Sequence, residues 1–256
     1  RSNSKIKDRK GRPLQHTFPV FYSMKILIGS CTMHIKDMFL QTPMYKSMLE
    51  GTRREWTDDH GIFTGVYDAI IKLNNSDSIC THYNKVIQMA VDQQYDTVIL
   101  MHDDVSIEDS DLTGKLFEAF QDNDVVGLAG AKQASISQPA LWHVMSKQED
   151  WSGAVAHKSP DAKVFMTNFG PTPDRCVLLD GVFLAIKVES LKDNVRFDEN
   201  LKFHHYDLDF SLTCNENKLK LTTWPIWAVH DSGGLTTMSQ QFTDSEKYFL
   251  DKWQKN

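Results

Sequence analysis

The chain has 256 residues, enough for one large domain or two small ones, and 41% of them are hydrophobic, ample for a core. Its 28 Lys+Arg against 34 Asp+Glu give a formal net charge of −6, which argues against nucleic-acid binding as the main role. No run nears the roughly 18 apolar residues of a membrane span. The four cysteines (Cys31, Cys80, Cys176 and Cys214) are far apart and lack CxxC spacing, so neither a structural zinc site nor a disulfide framework is expected. With no apolar signal segment either, a reducing, cytoplasmic setting is predicted.

In chain order, Arg1–Ser23 is rich in Lys, Arg and Asp and reads as a flexible leader, arm or linker ahead of one domain over 24–256. Met24–Ser30 (MKILIGS) is the first strand, and Ser30, Cys31 and Thr32 then stand where backbone N–H groups and hydroxyls can meet a ligand. Ile35–Glu50 reads as a helix with an imperfect apolar face that Pro43 interrupts. Val66–Lys72 is a second strand, followed by a turn through Asn74 and Asn75. Thr81–Gln93 repeats Tyr83, Val86, Ile87, Ala90 and Val91 at helical spacing, with Asp77 or Ser78 as its cap. Leu112–Gln121 is a further amphipathic helix, and Val125–Gly130 a fourth strand. Strand and helix alternate through 24–130, as in one half of a doubly wound α/β sheet.

The segment around which the rest is organised is Asp96–Asp109. Val98, Ile99, Leu100 and Met101 run uninterrupted into His102-Asp103-Asp104. Such a run reads as a strand buried on both faces, and its C-terminal end is where open α/β sheets place ligands. Two carboxylates and an imidazole there suit Mg2+ or Mn2+.

Past Gly130 the alternation stops. Lys132–Asp174, with four prolines and with Trp142 and Trp151, reads as a long irregular binding loop. Cys176–Lys187 returns to sheet with a bend at Asp180-Gly181. Phe203–Asn217 leads into a helix whose start carries His204, His205, Asp207 and Asp209. Leu219–Val229 is strand-like and ends at His230, and Ser239–Gln254 is a closing helix. The acidic and imidazole clusters at 102–104, 207–209 and 230 each fall at a strand end or helix start, so they can converge at one sheet edge. Asp104 and His230 then share a metal, and Asp207 is free as a general base. Asp209, two residues on, points elsewhere on the helix.

These segments, in this order, resemble a GT-A fold glycosyltransferase, close to the family 2-like inverting enzymes. The resemblance runs from about Met24 to Gly234 and rests on ILIGSCT, NNSDSICTHYN, ILMHDDV, LLDGVFLAIK, HHYDLDF and VHDSGG. It implies an α/β fold with a mixed, mostly parallel, Rossmann-like sheet flanked by helices. The nucleotide-binding half would be 24–130 and the acceptor half 131–256. It implies a UDP- or GDP-sugar donor, a glycan or glycoconjugate acceptor and a divalent metal. HDD takes the place of the DxD signature, so Asp104 corresponds to the metal-binding aspartate, while His102 stands where the first aspartate usually is and Asp103 assists. Asp180, Gly181, Trp151 and His205 fall on the acceptor side. Asp207 takes the base position, with Tyr206 replacing the usual Glu, and His230 completes metal binding. Ser30, Thr32, Asn74 and Asn75 fall in nucleotide-holding loops. A retaining transferase and a non-catalytic carbohydrate-binding protein on the same fold are the alternatives. A sugar nucleotidyltransferase should carry a Gly-rich basic loop after the first strand, and GSCTMHIKD is not one.

Overall fold

A computed structural model describes residues 24–48, 53–159, 161, 163–232 and 238–254. The expected leader 1–23 lies outside these residues, as do Glu50 and Gly233-Gly234. The fold is α/β, with two sheets and flanking helices. Nine strands form the main sheet, in the order Asp174–Cys176, Leu221–Thr223, Val125–Gly127, Phe183–Lys187, Thr97–Met101, Ile26–Cys31, Asp68–Lys72, His60–Thr64, Arg53–Trp56. The sheet is more mixed than strand–helix alternation implies. Ile26–Cys31 is parallel to both Thr97–Met101 and Asp68–Lys72, and Leu221–Thr223 is parallel to Val125–Gly127. The other pairings are antiparallel: Phe183–Lys187 runs against both Thr97–Met101 and Val125–Gly127, and the pairs at the two edges are antiparallel as well.

Strand periodicity divides the core. Val98 and Leu100 join one apolar cluster and Ile99 and Met101 the other, as successive side chains leave opposite faces of a strand. Helix Ile79–Asp92 covers the first of these faces with Ile79, Cys80, Tyr83, Val86, Ile87 and Ala90. It is capped by Ser78, whose hydroxyl accepts from Cys80 N. It packs so closely that a Cβ at Gly29 would lie 2.6 Å from Val86 Cγ1. Helix Tyr206–Glu216 adds Tyr206, Phe210 and Cys214 to this face.

A second sheet runs Leu178–Leu179, Ala129–Ala131, Trp151–Lys158, Ala228–His230, Val105–Ile107, and Val164–Gly170 pairs with Trp151–Lys158. Here the structure corrects the sequence reading. Residues 132–174 are not one irregular loop, because Trp151–Lys158 and Val164–Gly170 form an antiparallel hairpin. Pro171 and Pro173 lie in the link after it rather than inside a strand, so they bound the hairpin without breaking it. Val125–Gly130 is likewise two short strands that meet at Leu128 and enter different sheets.

Helix Ile35–Glu50 is two short helices, Lys36–Phe39 and Pro43–Ser47. Pro43 starts the second rather than kinking one long helix. It takes the first helical position, where its missing N–H costs nothing, and Thr42 Oγ1 caps the turn by accepting from Tyr45 N. The edge hairpin Arg53–Trp56/His60–Thr64 gave no apolar signal, because it buries little besides Gly61 and Phe63.

Candidate active site

The site forms where the chain leaves the main sheet for the second one. His102 follows the buried strand Thr97–Met101, and a tight turn closes as Val105 N donates to His102 O (3.3 Å). Val105–Ile107 then pairs antiparallel with Ala228–His230, in a register that sets His230 opposite Val105. Asp231 N donates to Asp104 O (2.8 Å). Two residues 126 positions apart in sequence, Asp104 and His230, are thus held side by side by backbone pairing.

His102, Asp104 and His230 present nitrogen and carboxylate atoms that all lie within 4.8 Å of one another. Asp104 Oδ1 is 3.3 Å from His230 Nε2 and 4.0 Å from His102 Nδ1, yet it is buried without a hydrogen bond of acceptable geometry. A divalent cation fits that set, one carboxylate with two imidazoles. Burial holds His102 below the ordinary histidine range against the pull of Asp104. Burial also opposes a charge on His230, but the Asp104 carboxylate outweighs it and raises that group.

Tyr206 fixes which nitrogen His102 presents. The Tyr206 hydroxyl donates to Gly181 O (2.9 Å), so its oxygen accepts from His102 Nε2 (2.9 Å). That leaves the Nδ1 lone pair on the Asp104 side, the usual way in which a second hydrogen bond sets a ligand tautomer. His102 therefore stands among the ligand-type atoms with Asp104 and His230. Its direction comes from a residue 104 positions away.

Gly181, Asp180 and the start of helix Tyr206–Glu216 adjoin this cluster. Asp207 accepts from Gly181 N (3.0 Å) and Leu208 N (2.9 Å). A Cβ at Gly181 would fall 2.8 Å from Asp207 Cβ, so only glycine permits this approach. Burial first, and then the charge of Asp180, push Asp207 up to about 7. Asp180 is held by Trp142 Nε1–H (2.8 Å) and Val182 N (3.0 Å). Asp209 is wholly buried, and its carboxylate accepts from Lys252 Nζ (2.7 Å) and Trp253 Nε1 (2.8 Å), tying the closing helix Gln240–Trp253 to the base helix.

A cavity of about 520 Å³ brings together Asp104, His230, Asp180, Gly181, Trp151, His205 and Asp207, and also His102. A second cavity of about 480 Å³ is lined by His34, Gln41, Thr42, Asp103 and, again, Asp104. Asp104 is therefore shared by two cavities, with Asp103 on one side and Asp207 on the other. The early loops reach neither cavity by the hydroxyls expected to. Ser30 is fully buried, and Thr32 Oγ1 is spent on His34 N (3.1 Å). Asn74 and Asn75 act through backbone, donating to His34 O and Thr32 O, with Asn74 in the left-handed region (φ 48°).

The fold is that of a GT-A glycosyltransferase. The model of a glycosyltransferase-like family matches residues 62–253, most of the chain, and the chain belongs to that family. Among solved structures, GalNAc-T7 with UDP, GalNAc and Mn2+ superposes with a TM-score of 0.54 at 10% identity, covering 90% of this chain and 48% of that one. TarS from S. aureus reaches a TM-score of 0.49 at 12% identity, over 90% of this chain and 39% of that one. A197 from STIV reaches 0.46 at 12% identity, over 85% and 99%. This chain thus spans about half the length of the GalNAc-T7 chain. No curated protein matches the sequence. Among the described residues no helix is long and apolar enough to cross a membrane.

Proposed function

We propose that this protein moves a sugar from a nucleotide-sugar to an acceptor hydroxyl, with a divalent metal, and inverts the anomeric centre. One observation carries the reading. Asp104 Oδ1, buried and flanked by two imidazole nitrogens, lines a cavity that also holds a carboxylate raised to about 7. GalNAc-T7, whose structure holds UDP, GalNAc and Mn2+, supports a UDP-sugar and Mn2+ as the first choices to test.

His102 Nδ1, Asp104 and His230 Nε2 hold the metal, which when bound neutralises the charge that develops on the departing diphosphate. The nucleotide takes the cavity beside Asp103, and the acceptor takes the one beside Asp207. Asp207 receives the proton of the attacking hydroxyl. A base poised near the working pH combines a useful deprotonated fraction with enough basicity. The backbone N–H groups of Gly181 and Leu208 fix its orientation. Attack from the Asp207 side, opposite the leaving group, inverts the anomeric centre. A thermal-shift panel of nucleotide-sugars with and without Mn2+ tests the donor site, since a ligand that binds only the folded state raises its stability. NMR of the product anomer tests inversion. Retained configuration would overturn the role of Asp207.

A further inference from the structure

The cavity beside Asp207 reads a particular kind of molecule. One wall is aromatic, with Trp142, Trp151 and Phe169 packed edge to face at 5.1–6.4 Å between centroids. Phe203, half exposed, stands on the wall of His102, on which its ring stacks (5.9 Å). Such surfaces suit the apolar faces of sugar rings. Among the described residues that line the cavity, none is Lys or Arg, while Asp180 and Asp207 are both present.

Besides Asp104 Oδ1, two polar atoms of the described lining lack hydrogen-bond partners. Ser245 Oγ donates to His204 O (2.7 Å), so it accepts from His205 Nδ1–H (2.9 Å), and His205 Nε2 keeps an unshared lone pair. Burial pushes His205 down to about 4, so it stays neutral. Trp151 Nε1–H is a donor with no acceptor. One is an acceptor and the other a donor, both buried in the wall itself, and a hydroxyl can answer either kind of group. A carboxylate or phosphate can only accept, and it meets Asp180 and Asp207 with no Lys or Arg of the described lining to balance it.

We propose that the acceptor taken by this cavity is an uncharged, hydroxyl-bearing sugar ring rather than an acidic or phosphorylated one, an inference that rests on the transferase reading above. Like charge brought against Asp180 and Asp207 sets the discrimination, which should exceed about tenfold in affinity.

The test uses the full chain with Mn2+ and UDP, with tryptophan fluorescence as the readout because Trp142 and Trp151 line the cavity. Methyl hexopyranosides, the matching methyl hexuronides, hexose 6-phosphates and hexosamines are titrated in parallel. The expected result is saturable quenching by neutral rings and at least tenfold weaker binding of uronides and phosphates. Leu141→Arg places a cation on the half-buried edge of the lining and should narrow that gap at least tenfold. Uronides or phosphates that bind as tightly as the neutral rings overturn the proposal. So does tighter binding of hexosamines, an absence of quenching by any sugar, or an unchanged gap in Leu141→Arg. If neutral rings bind selectively while no nucleotide-sugar shifts the melt or turns over, the transferase reading fails and the ligand class of the cavity stands.

Discussion

The two walls of the cavity use the same side chain in opposite ways. On one side, Asp104 faces two imidazole nitrogens and its pKa lies below the ordinary carboxylate range, although burial works the other way. On the other, Asp207 faces Asp180 and is raised to about 7 by burial and by that charge. On the proposed mechanism one carboxylate stays ionised beside a cation and the other exchanges a proton. Surroundings assign the roles, and groups pushed apart in this way mark the acid–base division of labour in a site. Asp209 adds a third case on the same helix. Closed off by Lys252 and Trp253, it serves the fold rather than the cavity.

If the walls divide the work, breaking each should fail differently. Asp104→Asn removes the one carboxylate of the metal set and should abolish Mn2+-dependent donor binding, with transfer falling by at least about 10³-fold. Isothermal titration with UDP in Mn2+ checks this, and full donor affinity in the variant would sink the metal assignment. Asp207→Asn should leave that titration unchanged while transfer falls about 10²–10⁴-fold. Lys252→Ala breaks neither wall. It strands the buried Asp209 and should lower unfolding free energy by about 3 kcal/mol in denaturant melts while metal affinity holds.

The strand Thr97–Met101 and the motifs behind it were legible because the signal is local, a buried apolar run that ends in charge. The hairpin Trp151–Gly170 was not. Its first strand buries small residues (Ser152, Gly153, Ala156) and its second exposes Val164, Phe165 and Met166, so neither shows apolar alternation. Its identity comes from pairing across the turn and with Ala228–His230, which no local window contains. Helical spacing separated Asp207 from Asp209, but only the closing helix shows what Asp209 is for. The resemblance set His102 in the motif, but which nitrogen it turns toward Asp104 depends on a hydrogen bond it donates to Tyr206, far away in the chain.

Tyr206 is where the two walls touch, since its hydroxyl meets both His102 and Gly181, and Gly181 in turn donates to Asp207. Tyr206→Phe frees the His102 tautomer and should weaken Mn2+ binding about 10–100-fold, the usual cost of losing a partner behind a ligand. If Mn2+ affinity is unchanged, the hydroxyl only packs.

The smallest effect is in pH, and it separates the walls without disabling either. Asp207 acts as base only when deprotonated, so at saturating donor the transfer rate should rise about tenfold per pH unit below about 7 and level off above it. Because Asp180 contributes to the elevation, Asp180→Asn should move this limb to lower pH even where it slows the reaction. Stability should follow the opposite sign. A carboxyl whose folded pKa lies above its unfolded value of about 3.9 favours the fold most below that value and loses the contribution as pH rises through about 7. Asp207→Asn should therefore raise the melting temperature at pH 8 and change it little at pH 3.5. An enzyme that becomes more stable and less active through one isosteric change carries its base in an environment chosen against the charged form. A melting temperature unchanged at pH 8, together with a flat rate profile, would place Asp207 in an ordinary solvated setting and remove the contrast with Asp104.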